Sequence, residues 1–180
     1  MNVVMRQEMS LEEFLAWEEQ QELRWEYDGS QAVAMVGGTQ AHAIIQGNVI
    51  AALNIRLRAT PCRAVGSDLK VQTSRAVRYP DAFVFCNPGP GSTTVISDPV
   101  VIFEIISPST GSVDRITKNR EYAGIPSVRR YVMLEQEEVA ATMFERNGDD
   151  WIGRILGADA MLHMPEIGIE VPLAEFYDGV

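Results

Sequence analysis

Two acidic residues stand where charge is least expected. Asp81 follows Pro80 at the head of the run Tyr79-Pro80-Asp81-Ala82-Phe83-Val84-Phe85-Cys86. Glu104 lies inside a second run, Val100-Val101-Ile102-Phe103-Glu104-Ile105-Ile106. Both runs are short, β-branched and aromatic, so both predict buried strands. A turn-rich stretch, Asn87-Pro88-Gly89-Pro90-Gly91-Ser92, joins them. An antiparallel hairpin closing near Cys86 and Pro99 pairs residues whose numbers sum to about 185, which sets Asp81 opposite Glu104. Paired residues share a face, with Cβ atoms roughly 5 Å apart. Two carboxylates so placed in a core repel each other and lose hydration, and a shared cation is the simplest offset to both costs.

The chemistry this pair fits is metal-assisted hydrolysis of a phosphodiester. Hard oxygen ligands hold Mg²⁺, or Mn²⁺ in its place, near the scissile phosphate. Asp81 and Glu104 supply such oxygens, and the Ile105 carbonyl, directly after Glu104, is a candidate third. A cation stabilises charge in the transition state. Lys118 is the best placed, on the helix expected after the strand of Glu104, one turn from Asp114 and from Tyr122. Plainer readings stand beside these. Asp81 can simply begin a strand, Glu104 and Lys118 can form a buried ion pair without chemistry, and Tyr122 can be a core residue. Ser107, Ser109 and Thr110 read as the turn leaving the second strand. None reads as a nucleophile, because His42 and His163, the two imidazoles, have no partner motif.

The elements that must position these groups follow from capping and periodicity. Ser10 with Glu13 fits a capping box and predicts a helix to about Gln20. Residues 22–27 and 31–36 predict a hairpin about Asp28-Gly29. Apolar residues at helical spacing (Ile44, Ile45, Val49, Leu53, Leu57) predict the longest helix over 40–59, stopped by Pro61. Strands are expected at 62–66, 68–73, 80–86 and 100–106. Asp114 can cap a short helix to Ala123, ended by Gly124-Ile125-Pro126. A strand at 128–134 and a hairpin over 139–156, turning at Asn147-Gly148, come next. A last strand at 168–171 and a short helical end at 173–176 complete an α+β chain with a mixed sheet and helices packed on it.

At 180 residues, with 46% apolar and 22% charged residues, the chain has the material for one domain with a real core. The expected organisation is an extension over 1–9 and one domain over 10–180. No apolar run approaches a membrane span, and the N-terminus carries no signal-peptide core. Cys62 and Cys86 read as two reduced thiols of a cytoplasmic protein. A net charge of −10 argues against strong nonspecific binding of nucleic acid. It leaves room for a local basic patch. Arg115, Lys118, Arg120, Arg129 and Arg130 form one candidate group, and Arg56, Arg58 and Arg63 another; both read equally as solvated surface.

An ordered set of motifs carries a family resemblance. It comprises Ser-Leu-Glu-Glu-Phe-Leu from Ser10, Trp25-Glu26-Tyr27-Asp28-Gly29, His42 at the start of the long helix, and Tyr79-Pro80-Asp81. It continues with Phe103-Glu104-Ile105-Ile106-Ser107-Pro108-Ser109-Thr110, then Asp114, Lys118 and Tyr122, then Tyr131-Val132-Met133-Leu134. The chain resembles the largely bacterial "putative restriction endonuclease" family of the PD-(D/E)XK nuclease superfamily, over residues 10–177. That resemblance implies a restriction-endonuclease-like core, with an α/β-type mixed β-sheet flanked by helices. It implies Asp81 and Glu104 as metal ligands, Glu26 as a further acid from the N-terminal hairpin, and His42 near phosphate or water. The superfamily's lysine two residues after the glutamate is absent, since Ile106 stands there, which makes Lys118 the candidate for its role. The expected function is therefore Mg²⁺-dependent cleavage of DNA, with a homodimer as the expected assembly. A silent binding module on the same fold is the alternative, and hydrolysis of a small phosphoester a third.

Overall fold

Ser10 opens the first helix as its capping box predicts. In a computed structural model, which describes residues 4–5, 8–35, 37–106 and 112–180, Ser10 Oγ accepts from the Glu13 amide. The Glu13 carboxylate accepts from the Ser10 amide in return. In chain order the elements are β1 (Val4–Met5), α1 (Leu11–Glu18), β2 (Trp25–Tyr27), β3 (Ala32–Ala34), α2 (Gln40–Leu57), β4 (Arg63–Gly66) and β5 (Lys70–Gln72). There follow β6 (Val77–Arg78), β7 (Ala82–Phe85), β8 (Val95–Ile96), β9 (Val101–Ile106), α3 (Ser112–Ala123) and β10 (Arg130–Glu135). The chain ends with β11 (Ala141–Asn147), β12 (Asp150–Leu156), β13 (Met161–Met164), β14 (Ile169–Pro172) and a 3-10 turn, Leu173–Tyr177.

The strands make two six-stranded sheets, ordered β1-β3-β2-β6-β5-β8 and β12-β11-β10-β9-β7-β4, plus the β13–β14 hairpin. In the second sheet β9 and β10 run parallel, joined by α3, and the other neighbours are antiparallel. A parallel pair needs such a crossover, whereas antiparallel pairs close through turns. Strand alternation then sorts the core. Ala82, Val84, Val101, Phe103 and Ile105 face α2, packing with Ile45, Val49 and Leu53. Phe83, Phe85, Ile102 and Ile106 face the other way, toward Tyr122 of α3. The sheet is thus covered on both faces, the α+β, mixed-sheet architecture expected. Among the described residues no helix is long and apolar enough to cross a membrane.

The β7–β9 register is Ala82↔Phe103, Phe83↔Ile102 and Val84↔Val101. Each pair sums to the value the hairpin argument required. Four short strands escaped the sequence reading: β1, β6, β8 and β13. Two-residue strands such as β6 and β8 hold no periodicity to detect, and they exist because longer neighbours template them. Residues 87–99 are more than a turn, since Val95–Ile96 leaves the hairpin to pair with β5 in the other sheet. The helix holding Lys118 begins at Ser112, so Asp114 lies within it rather than capping it. The expected turn over 107–110 lies outside the described residues. Before residue 10, Val4–Met5 pairs with β3.

The cysteine expectation is overturned. Cys62 and Cys86 form a disulfide. The reason is register: Arg63 pairs with Phe85, so the next residues outward, Cys62 and Cys86, fall opposite each other on adjacent strands. Sequence spacing of 24 residues carries no sign of that pairing.

Candidate active site

The first sheet passes into the second at Arg78-Tyr79-Pro80-Asp81, between the end of β6 and the start of β7. Glu26 lies on β2, which pairs with β6 at Tyr27↔Val77. Along β2, Trp25 and Tyr27 pack under α1, so alternation turns Glu26 to the opposite face. One step beyond Ala82↔Phe103 the register sets Asp81 beside Glu104. In this way β2, β6, the residue before β7, β9, α2 and α3 bring polar side chains to one place, α3 bringing both Lys118 and Tyr122.

Glu104 is buried, 7% exposed, and its Oε1 accepts from Lys118 Nζ at 3.0 Å and from the Tyr122 hydroxyl at 2.8 Å. Lys118 Nζ also stands 3.6 Å from Glu26 Oε1. Glu26 accepts from the Tyr79 amide at 3.2 Å and pairs with Arg78 at 3.2 Å. Asp81 Oδ2 accepts from the Ile105 amide at 2.7 Å, and Oδ1 lies 3.2 Å from His42 Nε2. In an extended strand the amide and carbonyl of one residue point to the same edge. The Ile105 carbonyl therefore faces past the start of β7, on the side of Asp81. The structure brings together Asp81, Glu104, Ile105, Lys118, Glu26, Tyr122 and His42.

Lys118 serves two carboxylates, Glu104 and Glu26, and Arg78 serves Glu26 as well. Burial, with the charges of Asp81 and Glu26, pushes Glu104 up to about 7 despite Lys118. Burial would push Glu26 the same way, but Lys118 and Arg78 outweigh it and hold Glu26 below the usual range. Burial alone would lower Lys118; Glu104 and Glu26 hold it well above its ordinary value, so it stays an ammonium. Burial and Glu104 push the Tyr122 hydroxyl well up, so it stays a donor. The hydrogen bond to Asp81 raises His42 against the opposing effect of burial.

The Glu104 shift has a sign that can be measured. Its folded value, about 7, lies above its unfolded value near 4.5, so the folded state favours the proton. Its contribution to stability is complete below about pH 4.5 and is lost as pH rises through about 7. His42, also raised, acts in the same direction. Acidifying from pH 8 to pH 6 is expected to raise the unfolding midpoint of the wild type. A Glu104→Gln variant is expected to lose most of that rise, an effect of about 1 kcal/mol over these two pH units. Denaturant titrations of both proteins at the two pH values check it. Parallel profiles would remove Glu104 as the titrating group.

Several residues at the site were not foreseen. Arg78 is buried and clamps Glu121 through two hydrogen bonds, at 2.7 and 2.8 Å, while it reaches Glu26. Gln46 on α2 donates to the Asp81 carbonyl at 2.8 Å. Gly38 abuts His42, since a Cβ there would lie 2.9 Å from the imidazole Cγ. The pair Gly37-Gly38 was legible only as a chain break. Tyr131, edge-on to Tyr122 at 5.0 Å between centroids, buries a hydroxyl that has no partner among the described residues. Nothing in the local sequence marks these contacts. Arg78 alone carried a hint, as a charge inside a run of apolar residues.

A cleft of about 470 Å³ opens beside Asp81, lined also by Arg24, His42, Gln46 and Ser67. Glu104, Lys118 and Glu26 do not line it. Half of the residues of the two expected basic groups are spent on ion pairs. Arg115 pairs with Glu135, Lys118 with Glu104, Arg130 with Glu145 and Glu166, and Arg56 with Glu175. Among the described residues no three His, Cys, Asp or Glu side chains converge as a self-sufficient metal cage.

Comparison with known proteins sets this geometry in a family. The chain is similar to "Uncharacterized protein slr1290" of Synechocystis sp., 33% identical over 176 residues that cover 96% of this chain and 93% of the relative. It has the fold of a protein from Anabaena variabilis, described as a "putative nuclease belonging to DUF820", with a TM-score of 0.77 at 16% identity. That match covers 94% of this chain and 98% of the other. The Uma2 family model, described as "Putative restriction endonuclease", matches residues 11–174, and the chain belongs to that family.

Proposed function

We propose that this protein is a nuclease that hydrolyses phosphodiester bonds of DNA with Mg²⁺ at the Asp81–Glu104 pair. The observation that carries the reading is the placement of Asp81 beside buried Glu104 on neighbouring strands, with Lys118 of α3 contacting Glu104 and Glu26. Family membership supports it independently. The donor set fits a hard divalent cation, with two carboxylates and the Ile105 carbonyl on one edge. Mg²⁺ commonly takes one or two protein carboxylates and completes its shell with water and substrate phosphate. A protein cage of three or more acids is therefore not required. When bound, Mg²⁺, or Mn²⁺ in its place, supplies Lewis acidity and an activated water.

The chain's own residues do the rest. Lys118 stays protonated, so it acts as a fixed positive charge that orients water or stabilises the transition state, and not as a base. Glu26 and the Tyr122 hydroxyl hold that ammonium and Glu104 in place. His42, on the cleft wall and raised by Asp81, offers positive charge to a phosphate. Arg24, which also lines the cleft, is already paired with Asp68. A cytoplasmic setting fits a DNA substrate, whereas the Cys62–Cys86 bond is of a kind that cytosolic thiols usually keep reduced.

The test is calorimetric titration with Mn²⁺ beside a plasmid-cleavage assay, for the wild type and Asp81→Ala. The wild type is expected to bind and to cut. Asp81→Ala is expected to lose both while keeping its circular dichroism, because water can replace the lost acceptor for the Ile105 amide at the strand end. A variant that cuts at the wild-type rate would sink the proposal.

A further inference from the structure

The outer edge of β12 is built to accept a strand. β12 is the terminal strand of its sheet, seven residues long, and no strand among the described residues pairs with its far side. Asn147 and Asp150 close the two-residue turn to β11, with Gly148 at φ +62°. A closing pair of this kind exchanges hydrogen bonds, and bonded pairs recur at every second residue. The polar groups of Asp150, Ile152 and Arg154 therefore point inward to β11. Those of Trp151, Gly153 and Ile155 point outward, unpaired. Natural edges are commonly blunted by proline, lysine or a bulge. This one has none of them, and its single basic residue, Arg154, is tied to Glu145 at 2.8 Å. Ile155, the last outward position of the open edge, is 86% exposed.

We propose that two copies of this chain pair β12 with β12, antiparallel about Gly153, joining the two sheets across a two-fold axis. The register follows from the open groups. A two-fold at Gly153 bonds Trp151 to Ile155 of the second copy and Gly153 to its own mate, so every outward amide and carbonyl is matched. The side chains agree with it. Trp151 and Ile155 share a face with Phe144, which stacks on Trp151 at 6.2 Å and lies over Gly153. Pairing covers each Ile155 with the opposite Trp151, a favourable cross-strand combination of aromatic and β-branched residues. On the other face Asp150 stands diagonal to Arg154 of the second copy, and the axis repeats that opposite-charge contact. A shift of one residue would set bonded groups against open ones and forfeit both matches. A self-complementary patch of this kind closes at two copies.

Sedimentation of the whole chain across a dilution series tests the proposal. The wild type is expected as a species of twice 20.0 kDa that dissociates on dilution. Ile155→Lys places a charge on the edge, and Ile155→Pro removes an outward amide that β11 does not use. Both are expected to shift the mass to 20.0 kDa with unchanged circular dichroism. Amide exchange at Trp151, Gly153 and Ile155 is expected to slow in the wild-type dimer and to be fast in either variant. A wild type that stays monomeric at every concentration overturns the pairing. So does a dimer that survives both substitutions, or an assembly larger than two.

Discussion

A Lys118→Met variant is expected to lose DNA cleavage by a hundredfold or more, on the order of what one transition-state donor contributes. It is also expected to be less stable by about 3–5 kcal/mol, because two carboxylates stay buried when their cation goes. Nζ lies 3.0 Å from Glu104 and 3.6 Å from Glu26, so Glu104 loses its counter-charge and Glu26 keeps only Arg78, at 3.2 Å. Glu104 already titrates near 7 and would take up a proton, which makes the stability loss smaller at pH 6 than at pH 8. A Lys118→Met/Glu104→Gln double variant is expected to recover much of the stability, since the amide still accepts from Tyr122, and none of the cleavage. That split separates catalysis from packing. Urea titrations at the two pH values and plasmid cleavage by the three proteins give the comparison. If Lys118→Met cut DNA normally, the lysine would be an ion-pair partner only, and a silent module would become the better account.

Arg78→Met is the second large effect, and it acts on the frame of the site. Arg78 ties β6 to α3 through Glu121 and to β2 through Glu26. Its removal leaves two acids without their guanidinium in a place with little water, a loss of about 3–5 kcal/mol. For a chain of this size that is a fall in melting temperature of roughly 10 °C. Arg78→Lys is expected to recover only a minority of it, because an ammonium cannot make the paired contacts to Glu121 while reaching Glu26. Thermal unfolding followed by circular dichroism measures both. Wild-type stability in Arg78→Lys would show that charge alone, rather than the forked geometry, holds the junction.

The strands and the pair they carry were legible because both signals are local. A turn of limited length joins two apolar runs, and that constraint alone sets which residues face each other. The same logic failed at Cys62 and Cys86, whose strands are separated by β5, β6 and a change of sheet. Arg78 was missed for a related reason: its partners lie on α3 and β2, far away in the chain. Lys118 was found from its place one helix after Glu104, whereas the second acid it touches, Glu26, came only through family resemblance.

By itself the sequence determined the Ser10 cap, the longer runs that become strands, the long helix and the β7–β9 register. Each of these depends on hydrogen bonds and periodicities spanning a few residues or one short connection. Only the tertiary structure decided that the first sheet hands the chain to the second at Tyr79-Pro80, so that Glu26 and Arg78 arrive beside Asp81. It also decided that one ammonium would stand between buried Glu104 and partly buried Glu26. Charge balance in a core depends on distances across the fold and on exclusion of water, and neither is written in the order of residues along the chain.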